Sequence, residues 1–471
     1  MKKKGKRGNR RRERKTVPQV FGNVHVNAAG IDVGSDEHWV CVPSDRDSEP
    51  IRQFGAFTAD LEALADWLVE CNVTDVAMES TGSYWIPLYD VLEARGLKVT
   101  LANARSVKHA PRRKTDVLDC QWIQHLHSLG LLSSSFRPDF SIRRLRVLLR
   151  HRDNLIRDSG THVQRVQKAL IEMNILLHNV ISDITGKTGR AIIGAILAGE
   201  RNPVALAQLK HPRIVATSNE IARALHGTWQ DEQLVVVRQS FETYDHFRKL
   251  IDDCDQQVEA VLSQFRSAPN APVSSATTAS EDAPNRKPRR NPQRNTPRNN
   301  LLPELIRVAG VDLTQIPGVE VVVFLTLISE VGVDLTRWRS AKAFAAWLGL
   351  APRPEVSGGK IIGQSRHRSV NRAAQVLRMA AQSVSRSNCY LGAFFRRMKA
   401  RIGPKHAIKA LAHKLALLVY RMLTTRESYR ELGGEEYEAR FRDRALSSLT
   451  KRAKELGYQL VQNQSVANVV S

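Results

Sequence analysis

Four carboxylates and one serine are the residues of this sequence whose types and spacing could do chemistry. Asp32 sits inside the apolar run Gly30-Ile31-Asp32-Val33-Gly34, and Glu79 closes the run Val76-Ala77-Met78-Glu79. Asp116 and Asp119 lie three apart at a helix start, hence on one face. Carboxylates at the ends of buried strands are costly unless neutralised, and a pair of divalent cations neutralises them. Two Mg2+ ions about 3.5–4 Å apart, held by about four carboxylates, are the usual apparatus for in-line attack on a phosphodiester. Taken singly, each acid reads as well as a turn former or a helix cap. The order (first-strand Asp, central-strand Glu, late helix-borne Asp pair) is what makes them a set.

Ser357 precedes Gly358-Gly359, with Arg353, Lys360, Arg366, His367 and Arg368 nearby and Arg372 a little further on. A serine hydroxyl needs a base or a metal to become a nucleophile, and cations to neutralise the phosphorane charge. The glycines let a DNA backbone approach without a Cβ clash. As a pattern alone, Ser-Gly-Gly is a loop. His125, His127, His406 and His413 have no companion Cys or acidic ligands along the sequence and read as structural or phosphate-facing.

The elements that must position these residues follow from the hydrophobic pattern. Gly30–Gly34, His38–Val42 and Ile51–Phe57 read as three strands, Leu61–Val69 as a helix, Val73–Met78 as a buried strand, Trp85–Ala94 as a helix and Leu97–Ala102 as a strand. Asp116–Leu132 is a helix preceded by the basic loop Arg112-Arg113-Lys114. Strands followed by alternating strands and helices indicate an α/β domain over residues 28–135. Residues 136–266 carry leucines at helical intervals, so long helices pair there as a coiled-coil spacer, with Arg143, Arg144, Arg146, Arg150, Arg152, Arg157 and Arg165 on the other faces. Those arginines serve either as a solvated surface or as nucleic-acid contacts. Residues 267–304, rich in Pro, Asn, Ser, Thr and Arg, read as a disordered basic linker. A mainly helical domain follows over 305–425, interrupted by a loop at Ala351–Ser369, and then a polar helical tail over 426–471. Residues 1–27 read as a basic disordered arm.

Charge narrows the function classes. The net charge of the 471 residues is +24. Residues 1–15 hold ten Lys/Arg against Glu13, residues 283–300 hold six and no acid, and residues 353–409 hold thirteen against Glu355. Residues 30–130 hold sixteen acids against nine bases. An acidic N-terminal domain joined to a strongly basic C-terminal one suits metal chemistry on a polyanion rather than on a small acidic metabolite. The five cysteines (Cys41, Cys71, Cys120, Cys254, Cys389) form no Cys-x-x-Cys pair, which argues against a zinc ribbon or a secreted disulfide framework and fits a reducing cytosol. The basic N-terminus lacks an apolar signal-peptide core, and the longest apolar run, Val319–Val333, contains Glu320 and Glu330, so no membrane span is expected.

Gly30-Ile31-Asp32-Val33-Gly34, Met78-Glu79-Ser80-Thr81-Gly82 and Lys114-Thr115-Asp116-Val117-Leu118-Asp119 resemble the motifs of the DEDD transposases of the insertion-sequence-110 family. Cys120 stands where that family usually has Ala. Ile316-Pro317-Gly318-Val319, running on to Glu330-Val331-Gly332, resembles the family's helix-hairpin-helix-like C-terminal opening. The bottom-up account of that turn is a helix N-terminus able to hold a phosphate, or an ordinary helix–helix turn. Ala346–Arg353 and Ser357-Gly358-Gly359 resemble its C-terminal motif, while Val370-Asn371-Arg372-Ala373-Ala374-Gln375 departs from the family's Gly-Asn-x-x-Leu-Arg run.

The resemblance, over about 28–132 and 313–423, implies a ribonuclease-H-like (RuvC-like) N-terminal domain, a coiled-coil spacer and a mainly α C-terminal domain. It implies metal ligands at Asp32, Glu79, Asp116 and Asp119, with two Mg2+ ions (Mn2+ substituting), and a catalytic serine at Ser357. Nucleic acid is expected at Arg112, Arg113, Lys114, Arg353, Lys360, Arg366, Arg368 and Arg372. The implied partners are DNA (element ends and target), an element-encoded structured guide RNA, and further copies of the chain as a dimer or tetramer. A cytoplasmic, nucleoid-associated protein of a prokaryotic-type cell is expected. The alternatives are a RuvC-like structure-specific nuclease in which water attacks, and a non-catalytic nucleic-acid-binding protein.

Overall fold

Alternation along Ala28–Val33 decides where the acidic residues go. Ala29, Ile31 and Val33 point into one hydrophobic core, so Gly30 and Asp32 face the other side of the sheet. The computed structural model describes residues 24–80, 82–102, 115–268, 295–352, 354–364 and 371–461. Arg112, Arg113, Lys114, Arg353, Arg366 and Arg368 lie outside the described residues. The chain divides into two compact units, Met1–Arg137 and Pro138–Ser471.

In the first unit, five strands, β1 (Ala28–Val33), β2 (Glu37–Cys41), β3 (Ile51–Gly55), β4 (Asp75–Glu79) and β5 (Lys98–Ala102), form a sheet in the order β3-β2-β1-β4-β5. The first three are antiparallel neighbours, and β4 and β5 run parallel to β1. Three meandering strands followed by two parallel crossover strands are the ribonuclease-H-like arrangement that the sequence pattern indicates. Helices α1 (Thr58–Glu70) and α2 (Trp85–Ala94) bury Leu61, Leu64, Leu68, Leu88 and Leu92 against one sheet face, with Ile31, Val40, Val76 and Met78 opposite. The other face carries α3 (Asp116–Ser128), whose Ile123 packs on Ala77 and Ala102. Small residues on that face let the helix lie close to the strands.

In the second unit, α4 (Phe140–Glu172) and α9 (Asp231–Ser263) form an antiparallel pair of 33 residues each. Arg144 donates to Gln264 at 2.9 Å, the Cys254 thiol donates to the Leu148 carbonyl at 3.3 Å, and the His162 and Phe247 rings lie 5.5 Å apart. Partners thus fall in number on one helix as they rise on the other. Between them, α5 (Leu177–Val180), α6 (Lys187–Leu197), α7 (Pro203–Gln208) and α8 (Ser218–Ala224) close a separate core around Met173, Ile193, Ile196, Leu206 and Leu225. The paired long helices agree with the periodicity of the sequence.

The C-terminal part contains α10 (Leu302–Ala309), a 3-10 turn (Leu313–Gln315), α11 (Val321–Val331), α12 (Ala341–Trp347), a hairpin of β6 (Pro354–Ser357) and β7 (Lys360–Gln364), then α13 (Arg372–Val384), α14 (Tyr390–Ile402), α15 (Pro404–Thr425) and α16 (Gly433–Glu455). Helix α15 is central, burying Ala407, Leu411, Leu415, Ala416 and Val419. No helix among the described residues is long and apolar enough to cross a membrane.

Three sequence readings need correcting. The stretch read as a loop around Ser357 contains a hairpin, because Gly358 and Gly359 at φ 54° and 80° form the two-residue turn that joins antiparallel strands most readily. Residues 295–304, read as linker, are packed: the Asn295 carbonyl accepts from Arg152, Arg298 pairs with Asp252 at 2.7 Å, and Leu301 is fully buried. Several arginines read as solvated surface or nucleic-acid contacts are engaged within the unit. Arg152 is buried against Asp255, and Arg150 holds Glu330 by two hydrogen bonds at 3.0 and 2.9 Å. Arg146 donates to the Ser329 and Glu330 carbonyls. The Pro-Gly turn at Ile316–Val319 is packed as well. A Cβ on Gly318, at φ 83°, would lie 2.7 Å from the Ala380 carbonyl oxygen of α13.

Candidate catalytic centre

The register of two parallel strands puts the first two acids side by side. Ile31 is level with Met78, so the following residues, Asp32 next to the end of β1 and Glu79 at the end of β4, lie on the face that α3 covers. Helix α3 begins there. Thr115 caps it by accepting a hydrogen bond from the Leu118 amide at 3.3 Å, and its first turn carries Asp116 and Asp119. The helix start contributes free amides and a partial positive charge, which favours anionic groups at this end.

What holds α3 in place is an absence of side chain. Gly30 faces the helix backbone, and a Cβ there would lie 2.2 Å from the Gln124 nitrogen and 2.4 Å from the Cys120 oxygen. The Gln124 side chain donates to the Ala28 carbonyl at 3.3 Å, a second tie between helix and strand. These two residues were not singled out from the sequence. A glycine inside a strand pattern, the signal for close backbone approach, was available at Gly30.

The electrostatics of Asp32 are unfavourable as they stand. Partial burial, followed by the negative charges of Asp119, Asp116 and Glu79, pushes the Asp32 carboxyl up to about 6. Asp116 is exposed, and Asp32, Glu79 and Asp119 are half-buried. Among the described residues, no three of these carboxylates bring oxygens within 4.8 Å of one another. The donors are all oxygens, the set that hard cations such as Mg2+ and Mn2+ prefer.

Ser357 belongs to the second unit. It ends β6, exposed, level with Lys360 across the two-glycine turn. Lys360 is also exposed. Arg372 opens α13 behind the Asn371 cap and donates to Asp153 at 3.0 Å, so its charge is engaged within the protein.

Comparison with known proteins bears on both units. A family model described as a transposase, of the DEDD and IS110 type, matches residues 29–175, the region that contains all four acids. A second, described as the transposase IS116/IS110/IS902 family, matches residues 312–396, the region that contains Ser357. The chain is 29% identical over 130 residues to a Sinorhizobium fredii protein, y4pF/y4sB, named as a transposase, which is 26% of this chain and 33% of the relative. It is 30% identical over 125 residues to the transposase for insertion sequence element IS1111A of Coxiella burnetii, 25% of this chain and 33% of the relative. The matched region thus spans a third of each of these curated relatives.

Proposed function

Because the chain belongs to the insertion-sequence-110 family of transposases, matched in both of its halves, we propose that it cuts and rejoins DNA through a covalent phosphoserine link. Ser357 is the nucleophile in this reading, and Asp32, Glu79, Asp116 and Asp119 hold two Mg2+ ions. The observation that supports it is the placement of Asp32 and Glu79 on one sheet face beneath the helix start that bears Asp116 and Asp119, near enough that burial and then the other three push the Asp32 carboxyl up to about 6. A partly buried Asp32 carboxylate facing three other acids is favoured by positive charge placed beside it. When bound, divalent ions polarise the scissile phosphate and stabilise the charge on its attacking and departing oxygens.

Ser357 contributes the covalent step. Its Oγ–P bond forms as the phosphorus bond to one DNA strand end breaks. Ser357 gives up a proton and the departing strand hydroxyl takes one. Attack by the hydroxyl of a different strand re-forms a phosphodiester and returns the serine. The energy of the broken bond is kept in the protein–DNA link, so no external energy source is needed. Lys360, Arg353, Arg366 and Arg368 supply positive charge around that phosphate. The basic segments 1–15, 283–300 and 353–409 supply charge for DNA at the element ends and target, and for a structured guide RNA. Assembly as a dimer or tetramer brings two duplexes together.

The test is denaturing electrophoresis of end-labelled DNA with the protein, followed by mass spectrometry of the DNA-linked peptide. Ser357→Ala should eliminate both adduct and strand exchange while leaving nucleic-acid binding intact. Ser365→Ala and Ser369→Ala should keep the adduct. An adduct mapped to another residue refutes the assignment, and efficient cleavage without any adduct makes the enzyme a water-attacking nuclease.

A further inference from the structure

The strands and helix that carry the four acids also meet at their opposite ends, and there the structure gathers a different donor set. We propose that His25, Asp75 and His127 form a second metal site, one for a transition-metal cation of the zinc class. This inference is independent of the catalytic reading above.

One donor atom from each of the three residues lies within 4.8 Å of the other two, and among the described residues this is the only such group of His, Cys, Asp or Glu. His25 Nδ1 is 3.5 Å from Asp75 Oδ1, and the His25 and His127 rings stack with centroids 4.6 Å apart. His127 is 2% exposed, yet its Nε2 has no hydrogen-bond partner, and Asp75 Oδ1 beside it is met by the Lys98 ammonium and His25 Nδ1. A buried imidazole nitrogen left unsatisfied is costly for a protein to keep unless something binds it. Burial, reinforced by His25, lowers the pKa of His127 to about 4, so its ring is neutral at ordinary pH.

The surroundings orient the donors. The Val24 and His25 amides both donate to the Ser128 carbonyl at the end of α3, at 2.7 and 3.1 Å. The Thr74 hydroxyl donates to Asp75 Oδ2 at 3.0 Å, which leaves Oδ1 turned toward the two imidazoles. Lys98 is the present counter-ion, 3.2 Å from Asp75 Oδ1, and its side chain is 72% exposed, so it can swing into solvent when a cation arrives. Zinc bonds of about 2.0–2.2 Å place neighbouring tetrahedral donors roughly 3.4 Å apart, so the three must close by about an ångström. Two imidazoles with one carboxylate suit zinc, cobalt or nickel better than magnesium, and a water completes the fourth position.

The location gives the site its role. His25 leads into β1, Asp75 begins β4 and His127 lies in the last turn of α3. Asp75 and Glu79 are about 13 Å apart along an extended strand, and Asp119 and His127 about 12 Å apart along a helix. A cation here ties together the three elements whose other ends bear the four acids, and so fixes the seating of α3 on the sheet.

The experiment uses the full chain, free of any affinity tag, stripped with chelator and titrated with Co2+ while Mg2+ is held at saturation. Visible absorption reports coordination number and a thermal melt reports stability. The expected result is one equivalent of Co2+ giving the intense band of a four-coordinate ion, with a higher melting temperature. His25→Ala should abolish the band, Asp75→Asn should weaken binding at least tenfold, and Lys98→Ala should leave it unchanged or tighter. His127→Phe keeps the stacking ring and should also lose the band; His25, being only partly buried, remains informative if that variant fails to fold. The double variant Asp32→Asn/Asp116→Asn should bind Co2+ like the wild type. The proposal is overturned if Co2+ fails to bind, if the band survives His25→Ala, or if it disappears in the double variant.

Discussion

Asp32 is the acid that pays most for its position, and its replacement separates stability from chemistry. Asn there is nearly isosteric and removes one of four mutually repelling charges. In chelator, Asp32→Asn should therefore be more stable than the parent by up to about 1 kcal/mol, a figure already discounted for solvent screening at this half-exposed group. With Mg2+ present that advantage should vanish or reverse, because the parent then gains a bound ion. Strand cleavage should fall by roughly 10^3-fold or more. Urea melts with and without Mg2+, alongside end-labelled DNA cleavage, check both halves; a destabilised variant in chelator would contradict the repulsion argument. The placement of the four acids was legible in the sequence because period-two alternation and strand ends restrict where Asp32 and Glu79 can face, and spacing by three puts Asp116 and Asp119 on one side of a helix. His25 and Asp75 were not, since they are 50 residues apart and meet His127 only through strand pairing and the docking of α3.

At the scale of elements, the seat of α3 rests on Gly30. Gly30→Ala puts a methyl about where the Gln124 nitrogen lies, and backbone cannot rotate away as a side chain can. The helix must lift, carrying Asp116 and Asp119 with it. A loss of about 1–3 kcal/mol, as for an overpacked core, should accompany loss of cleavage with DNA binding retained, measured by thermal melts and gel shift. Glu330 is the corresponding point in the second unit. Its carboxylate, 8% exposed, joins α11 to Arg146 and Arg150 of α4. Glu330→Gln removes the countercharge of the partly buried Arg146 and the exposed Arg150 and should cost about 1–3 kcal/mol, less than a fully buried pair because solvent screens Arg150, read from the shift in the urea midpoint. Sequence reasoning placed Glu330 in a family motif and the arginines on a surface, because ion pairs between residues 180 apart leave no local trace. The hairpin at Ser357 did leave one. Two glycines between short segments containing Val and Ile are a turn signal, and the surrounding Pro and basic residues masked it.

For the whole molecule, charge sets how nucleic acid is held. Binding to duplex DNA should weaken with salt, log K falling against log salt at about −0.9 per phosphate neutralised. Removing residues 1–15, which carry ten of the Lys/Arg, should make that slope shallower without changing sequence preference, since phosphate contacts position rather than specify. Fluorescence anisotropy over a salt series measures it, and an unchanged slope with altered target choice would contradict the assigned role. The antiparallel pair α4 and α9 has a consequence of a different kind. Each helix has 33 residues, about 50 Å of rise. The chain therefore leaves and returns at the same end, and the small-helix core sits at the far one. Seven residues removed from one helix alone would shear the partnership of Arg144 with Gln264 and of Arg152 with Asp255. Removed from both, they would bring the far core about 10 Å nearer and leave each end as it was. Length in this segment is thus an adjustable gauge, altered by insertions and deletions in matched pairs and spoiled by single ones.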